Sequence, residues 1–291
     1  MTSAPEHPHI HDERATAVDD GPDGTVTLRT GRAAVTVDPT RGCRLSSFAV
    51  GGQELLSDGY DPRVVEHMDD PAFGWGCFVM APWAGRVRDA RATWEGRTIS
   101  LPEHDDGHAI HGLVHSAVWE RLDATAWQVE VPADGWFAPL RVVHRVTLAP
   151  DHLHLRLEVS APDGPAPATV GWHPWFRREI DGTALELALP PAEMLARDPD
   201  GIATPHRVEV PTPPWDDAFV GIEAPVRLTW PGIATLGIET DAPVTVVFTE
   251  RATVACVEPQ SGPPDEVNQR PRVVRPDEPL QVSTTWRWSR A

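Results

Sequence analysis

The chain has 291 residues, and its 43 acidic against 25 basic side chains give a formal net charge of −18. Such a field repels nucleic acid and anionic membranes and weighs against a strongly anionic substrate. Cys43, Cys77 and Cys256 are too few and too widely spaced for a disulfide framework or a cysteine-based zinc site, and with neither a basic leader nor an apolar run long enough to span a bilayer the expectation is a soluble, cytoplasmic protein.

Residues 1–24 are rich in Pro, Asp, Glu and His and lack apolar periodicity. They cannot bury enough surface to order themselves and are expected to form a flexible tail, leaving 25–291 as one domain. From there apolar and polar residues alternate with period two at 25–29, 33–37, 140–148, 152–159 and 184–189, and again at 226–230, 244–249, 253–257 and 281–288, the signature of half-buried strands. Asp-Pro, Asp-Gly, Gly-Gly and Pro-Pro pairs punctuate them, and the chain holds 31 prolines and 22 glycines. Only 61–69 and 190–197 are compatible with short helices. The predicted fold class is all-β, a large antiparallel β-sandwich.

Three separate segments offer proton-moving side chains: His108-Ala109-Ile110-His111-Gly112, Gly171-Trp172-His173-Pro174-Trp175-Phe176 and Val257-Glu258-Pro259-Gln260. His104, His108, His111 and His115 have the spacing of metal ligands on one helix face, but Pro102, Gly107 and Gly112 break any such helix, so no metal site is expected. His173 ends a strand-like run, and Trp172, Trp175 and Phe176 offer flat apolar faces on which a sugar could stack. Glu258 closes the apolar run Thr253-Val254-Ala255-Cys256-Val257, where an idle carboxylate would be costly to bury. Arg86 and the pair Asp216-Asp217 add further polar groups between these segments.

The order of these pieces, with Ala84-Gly85-Arg86-Val87, Trp94-Glu95-Gly96, His111-Gly112 and Trp215-Asp216-Asp217-Ala218-Phe219, resembles the aldose 1-epimerase (mutarotase) family from about Gly31 onward. The resemblance implies a galactose mutarotase-like supersandwich with the sugar in an open cleft on one sheet. It implies Glu258 as the base that removes the anomeric proton, His173 as the acid that protonates the ring oxygen, and His111 beside them. It also implies that Arg86, Asp216, His108, Trp175 and Gln260 hold the sugar; counting back from Phe219 selects Asp216 over Asp217. No cofactor is needed. The implied reaction interconverts the α and β anomers of a free aldohexose. One alternative is a hexose-6-phosphate 1-epimerase drawing on Arg86, Arg88 and Arg91 or on Arg177 and Arg178. Others are a glycoside hydrolase using Glu258 with Asp216, and a sugar-binding protein without turnover. Leu113 after His111-Gly112, and Pro174-Trp175-Phe176 after His173, depart from the better-known members beside the sugar and bear on which sugar is read. The architecture permits a homodimer without requiring one.

Overall fold

Alternation along the strands resolves into two antiparallel sheets stacked face to face. The computed structural model describes residues 17–58 and 73–289. In the larger sheet the main path runs Ala17–Asp20, Val26–Thr30, Ala33–Asp38, Arg44–Val50, Cys77–Met80, Gly171–Pro174, Val254–Gln260, Val244–Phe248, Asp216–Val220, Glu193–Arg197 and Ala203–Val208. The eight-stranded sheet runs Glu120–Arg121, Ala126–Val131, Leu140–Leu148, His152–Ser160, Leu280–Ser289, Ala234–Thr240, Val226–Trp230 and Glu186–Ala188. Between Arg91–Trp94 and Arg97–Ser100 the turn at Glu95 and Gly96 has positive φ at both positions, 49° and 78°, the conformation that suits a two-residue hairpin.

Two expectations are corrected. Residues 193–197, read as helix-compatible, form a strand held between Asp216–Val220 and Ala203–Val208; the sheet pairing overrides the local pattern. Ala17–Asp20, inside the segment expected to be a tail, pairs with Val26–Thr30 in the register Ala17↔Arg29 to Asp20↔Val26. All four of its residues are exposed, so backbone hydrogen bonds and the Arg29–Asp19 ion pair at 3.4 Å, rather than apolar burial, align it. Residues 1–16 and the helix-compatible 61–69 lie outside the described residues.

The inward residues of both sheets form one core. Val35, Phe48, Trp172 and Val257 from the larger sheet meet Trp127, Val142, Leu155 and Trp286 from the smaller, all fully buried. Phe48 and Phe176 pack on Trp286 with ring centroids 5.6 Å and 5.2 Å away. Removing such apolar surface from water contributes roughly 25 cal/mol per Å² and is the main force closing the sandwich.

A polar link crosses this core where the Trp172 indole Nε1 donates to His144 Nε2 at 3.1 Å. The contact requires an imidazole nitrogen free to accept. Burial supports it by pushing the His144 pKa down to about 4. The unfolded chain therefore takes up a proton more readily than the native one, and stability drains away as pH falls from about 6.5 towards 4. From this group alone the loss approaches about 3 kcal/mol at the acid end. Urea unfolding of His144→Gln, which keeps an acceptor for Trp172, is expected to show a shallower loss of stability across that window than wild type. Parallel curves for the two proteins would remove His144 as the cause.

Candidate active site

Strand parity decides what reaches the outer face of the larger sheet. On Gly171–Pro174, Trp172 enters the core and His173 points the opposite way; on Val254–Gln260, Val257 enters the core while Cys256, Glu258 and Gln260 share the outer face. Pairing of Gly171 with Gln260 brings His173, two residues on, level with Glu258. Neighbouring strands extend the row, since Val246 lies opposite Glu258 and Ala218 opposite Val246. Gly171 permits the approach. A Cβ there would lie 2.5 Å from the Pro259 carbonyl oxygen and 3.0 Å from Gln260 Cγ.

His111 arrives from a loop pinned to the end of Cys77–Met80. The Leu113 amide donates to the Ala81 carbonyl at 2.7 Å and the His111 amide to Gly85 O at 3.0 Å. His111 itself sits at φ 59°, a left-handed conformation uncommon for a residue with a side chain and one that the surrounding structure must enforce. Gly112 follows at φ 82° against the Ala81 backbone.

These side chains line a cavity of about 980 Å³, counted out to its open mouth. At its floor His173 Nε2 lies 3.3 Å from Glu258 Oε1. The His173 ring stacks on Phe78 at 4.8 Å and on Trp175 at 4.7 Å between centroids. The His111 ring meets it edge-on at 4.8 Å. Gln260 Nε2 donates to the other Glu258 oxygen at 3.1 Å, which orients the carboxyl group. Only 6 % of His173 and 2 % of Glu258 are exposed, so the environment disfavours charge on both. Burial pushes the His173 pKa down to about 3, helped by the Arg44 and Arg251 cations. Burial, with the Asp216 charge, pushes Glu258 well above the usual carboxylate range, and His111 is driven well down by burial, by His173 and by Arg86. The pair thus holds one proton between two neutral groups. A polar ligand that hydrogen-bonds the carboxylate would move that proton towards the imidazole.

Arg86, His111, His173, Trp175, Asp216, Glu258 and Gln260 all line the cavity, whereas His108 does not. The Asp89 amide donates to His108 Nδ1 at 3.1 Å and fixes that ring beside the 88–90 turn. Trp172 and Phe176, expected to flank a sugar, face the core instead, because alternate residues of an extended chain point to opposite faces. Asp216 shares the outer face with Ala218. Asp217, one residue on, is bound by Arg197 Nε at 3.1 Å and also reaches the lining. Of the arginines considered for a phosphate, only Arg86 lines the cavity. Arg88 is engaged by Asp198, Asp200 and Asp265, Arg177 by Asp58, and Arg178 by the Thr249 and Arg251 carbonyls.

Among the lining groups that the sequence reading did not assign to the cleft are Phe73, Arg197 and Arg251, and His104, which was weighed only as a metal ligand. Arg197 was legible in principle, since reading 193–197 as a strand beside Asp216 would have raised it. Arg86 bonds Asp106 at 2.8 Å and lies 3.8 Å from Asp216, while Arg197 lies 3.6 Å from Asp216. The cavity rim is therefore a lattice of guanidinium and carboxylate groups presenting donors and acceptors side by side.

Comparison with known proteins agrees with this architecture. The family model described as aldose 1-epimerase matches residues 24–229. No curated protein matches the chain in sequence. Among solved structures, a galactose mutarotase-like protein of Clostridium acetobutylicum superposes with a TM-score of 0.77 at 12% identity, covering 97% of this chain and 100% of its own. Galactose 1-epimerase of Lactobacillus acidophilus gives 0.73 at 17%, covering 96% and 99%. A GalM/aldose epimerase homologue of C. elegans gives 0.73 at 14%, again covering 96% and 99%. The family match ends before Glu258, so that carboxylate is tied to the site by its distance from His173.

The loop carrying His111 supplies a test of how the site is held. At Gly112 a Cβ would lie 2.1 Å from the Ala81 carbonyl oxygen, whereas at Gly96, with a similar φ of 78°, nothing lies within 4 Å. Gly96→Ala is expected to cost about 1–2 kcal/mol for left-handed backbone alone, and Gly112→Ala about 2–4 kcal/mol once overlap is added. Denaturant midpoints of the two variants check this, and equal losses would mean that the Ala81 contact does not constrain the loop.

Proposed function

The chain belongs to the aldose 1-epimerase family, and from that premise we propose that it interconverts the α and β anomers of a free aldohexose by acid–base ring opening and closure. The observation that carries the reading is the 3.3 Å approach of His173 Nε2 to Glu258 Oε1 at the floor of the cavity. A hemiacetal carbon bears its hydroxyl and its ring oxygen on one atom, so a base and an acid this close can serve both oxygens at once.

With the sugar's hydrogen bonds to the carboxylate drawing the pair's proton onto His173, Glu258 accepts the proton of the C1 hydroxyl while His173 gives its proton to the ring oxygen. The C1 to ring-oxygen bond breaks, C1 becomes an aldehyde, and the pair's proton count is unchanged. Rotation about C1–C2 presents the other carbonyl face. Ring closure with both transfers reversed yields the other anomer. Gln260 holds the carboxyl group in register, and His111 stands beside His173, where it can donate to a developing charge on oxygen. Arg86 and Asp216, with Arg197 alongside, offer hydrogen bonds to the remaining hydroxyls.

A neutral sugar suits the cavity better than a phosphorylated one. Arg86 and Arg197 are already compensated by Asp106, Asp216 and Asp217, and a phosphate would have to displace those carboxylates. The reading needs no organic cofactor, nucleic acid or membrane. Among the described residues no helix is long and apolar enough to cross a bilayer.

Polarimetry of freshly dissolved α-D-glucose and α-D-galactose tests the proposal. Wild type is expected to accelerate mutarotation of at least one of them, and Glu258→Gln and His173→Asn each to lose about 10²–10⁴-fold in kcat. The double variant should lose little more than the worse single one, because the two groups act as a unit. Folded wild-type protein that accelerates neither sugar nor a wider panel of aldoses, yet binds them, would replace the catalytic reading with a binding one.

A further inference from the structure

The proposed reaction uses His173 and Glu258 but leaves a third buried group beside them unexplained. Cys256 lies two residues before Glu258 on the same strand and the same face, fully buried. One ligand atom from each of His173, Cys256 and Glu258 lies within 4.8 Å of the other two. From these positions we infer a binding site for a thiophilic divalent cation of the zinc type, made of His173 Nε2, Cys256 Sγ and a Glu258 oxygen, whose occupation shuts the acid–base pair off.

The geometry fits a tetrahedral ion. Bonds of about 2.0–2.1 Å to nitrogen and oxygen at the tetrahedral angle set those two atoms roughly 3.3–3.4 Å apart, and His173 Nε2 and Glu258 Oε1 already stand at 3.3 Å. The sulfur needs a shift of about an ångström at most to complete three of the four positions, given a zinc–sulfur bond of about 2.3 Å. His173 and Glu258 line the cavity, which supplies an entry path and room for a water or a sugar hydroxyl as the fourth ligand. The imidazole, thiolate and carboxylate set is one that zinc accepts and that hard ions such as magnesium do not favour.

The surroundings orient one ligand but work against the ion's charge. Gln260 already donates to Glu258 Oε2, the kind of outer contact that orients a ligating carboxylate. Arg44, Arg86 and Arg251 bring positive charge towards the pair, so the ion must be matched by its own ligands; one thiolate and one carboxylate neutralise it. The sequence arguments against a metal concerned clustered cysteines and a helical run of histidines, and a mixed set drawn from two paired strands is invisible to both.

Inhibition rests on the epimerase reading, but binding does not. A metal on His173 Nε2 takes the lone pair that must carry the proton, and on Glu258 it takes the base. The test is a titration of the full-length chain with Co2+ as a spectroscopic probe and Zn2+ as competitor. His7, His9 and His11 offer a second chelating run, so the readout is the thiolate-to-cobalt charge-transfer absorption rather than stoichiometry. Wild type is expected to develop that band, to lose it to Zn2+, and to have its anomerisation inhibited by Zn2+. Cys256→Ser is expected to lack the band and to need at least tenfold more Zn2+ for the same inhibition, with basal turnover unchanged; Cys256→Ala serves if the serine destabilises the strand. Absence of the band in wild type, or its persistence in a folded Cys256 variant, would overturn the site. A band without any anomerisation would leave the site standing and count against the proposed reaction alone.

Discussion

The close approach of two strands at Gly171 is the constraint from which the site follows. Without a side chain there, the Pro259 carbonyl oxygen comes 2.5 Å from where a Cβ would stand, well inside van der Waals contact, and the register that results sets His173 beside Glu258. The same strands contribute Trp172 and Val257 to the core on their opposite faces. Cavity geometry and sandwich closure are thus written on alternate residues of the same segments. A slip of one residue in the pairing would bury the wrong side chain on both faces at once. Register is in this way held by the hydrophobic effect, and the placement of His173 against Glu258 inherits its precision.

Burial then does electrostatic work. An exposed histidine and glutamate would form an ordinary ion pair of little consequence. Under Phe78 and Trp175 and away from water, each is driven towards its neutral form, with the imidazole nitrogen 3.3 Å from the carboxyl oxygen. The arginines and aspartates of the rim stand farther out and remain paired with each other. The cavity therefore grades from a buried floor, where His173 meets Glu258, to a polar mouth of paired charges.

Much of this was legible in the chain itself. Period-two alternation marked most of the long strands, and Glu258 stood out as a carboxylate in an apolar run. What failed did so for stated physical reasons. Trp172 and Phe176 sit next to cavity residues in sequence but on the other side of the sheet. His108 is held by the Asp89 amide, a contact between loops that no local pattern encodes. Arg197 was hidden because 193–197 has no strong strand signature until Asp216–Val220 lies beside it. Ala17–Asp20 pairs through its backbone, and composition speaks only of side chains. The common thread is that local pattern reports which face is apolar, while long-range pairing decides what each face meets.

The placement of Leu280–Ser289 reaches beyond the site. This strand follows every other described strand in the chain yet lies inside the eight-stranded sheet, between His152–Ser160 and Ala234–Thr240. While the ribosome is still making it, the sheet exists as two halves with open edges and an unfilled place where Trp286 will stand. Such edges invite pairing with other chains, and the missing partner is supplied only across a long sequence separation, which slows closure. Completion of the sandwich therefore waits on the last of its described strands, and until that strand is in place the two open edges are the part of the sheet most exposed to mispairing.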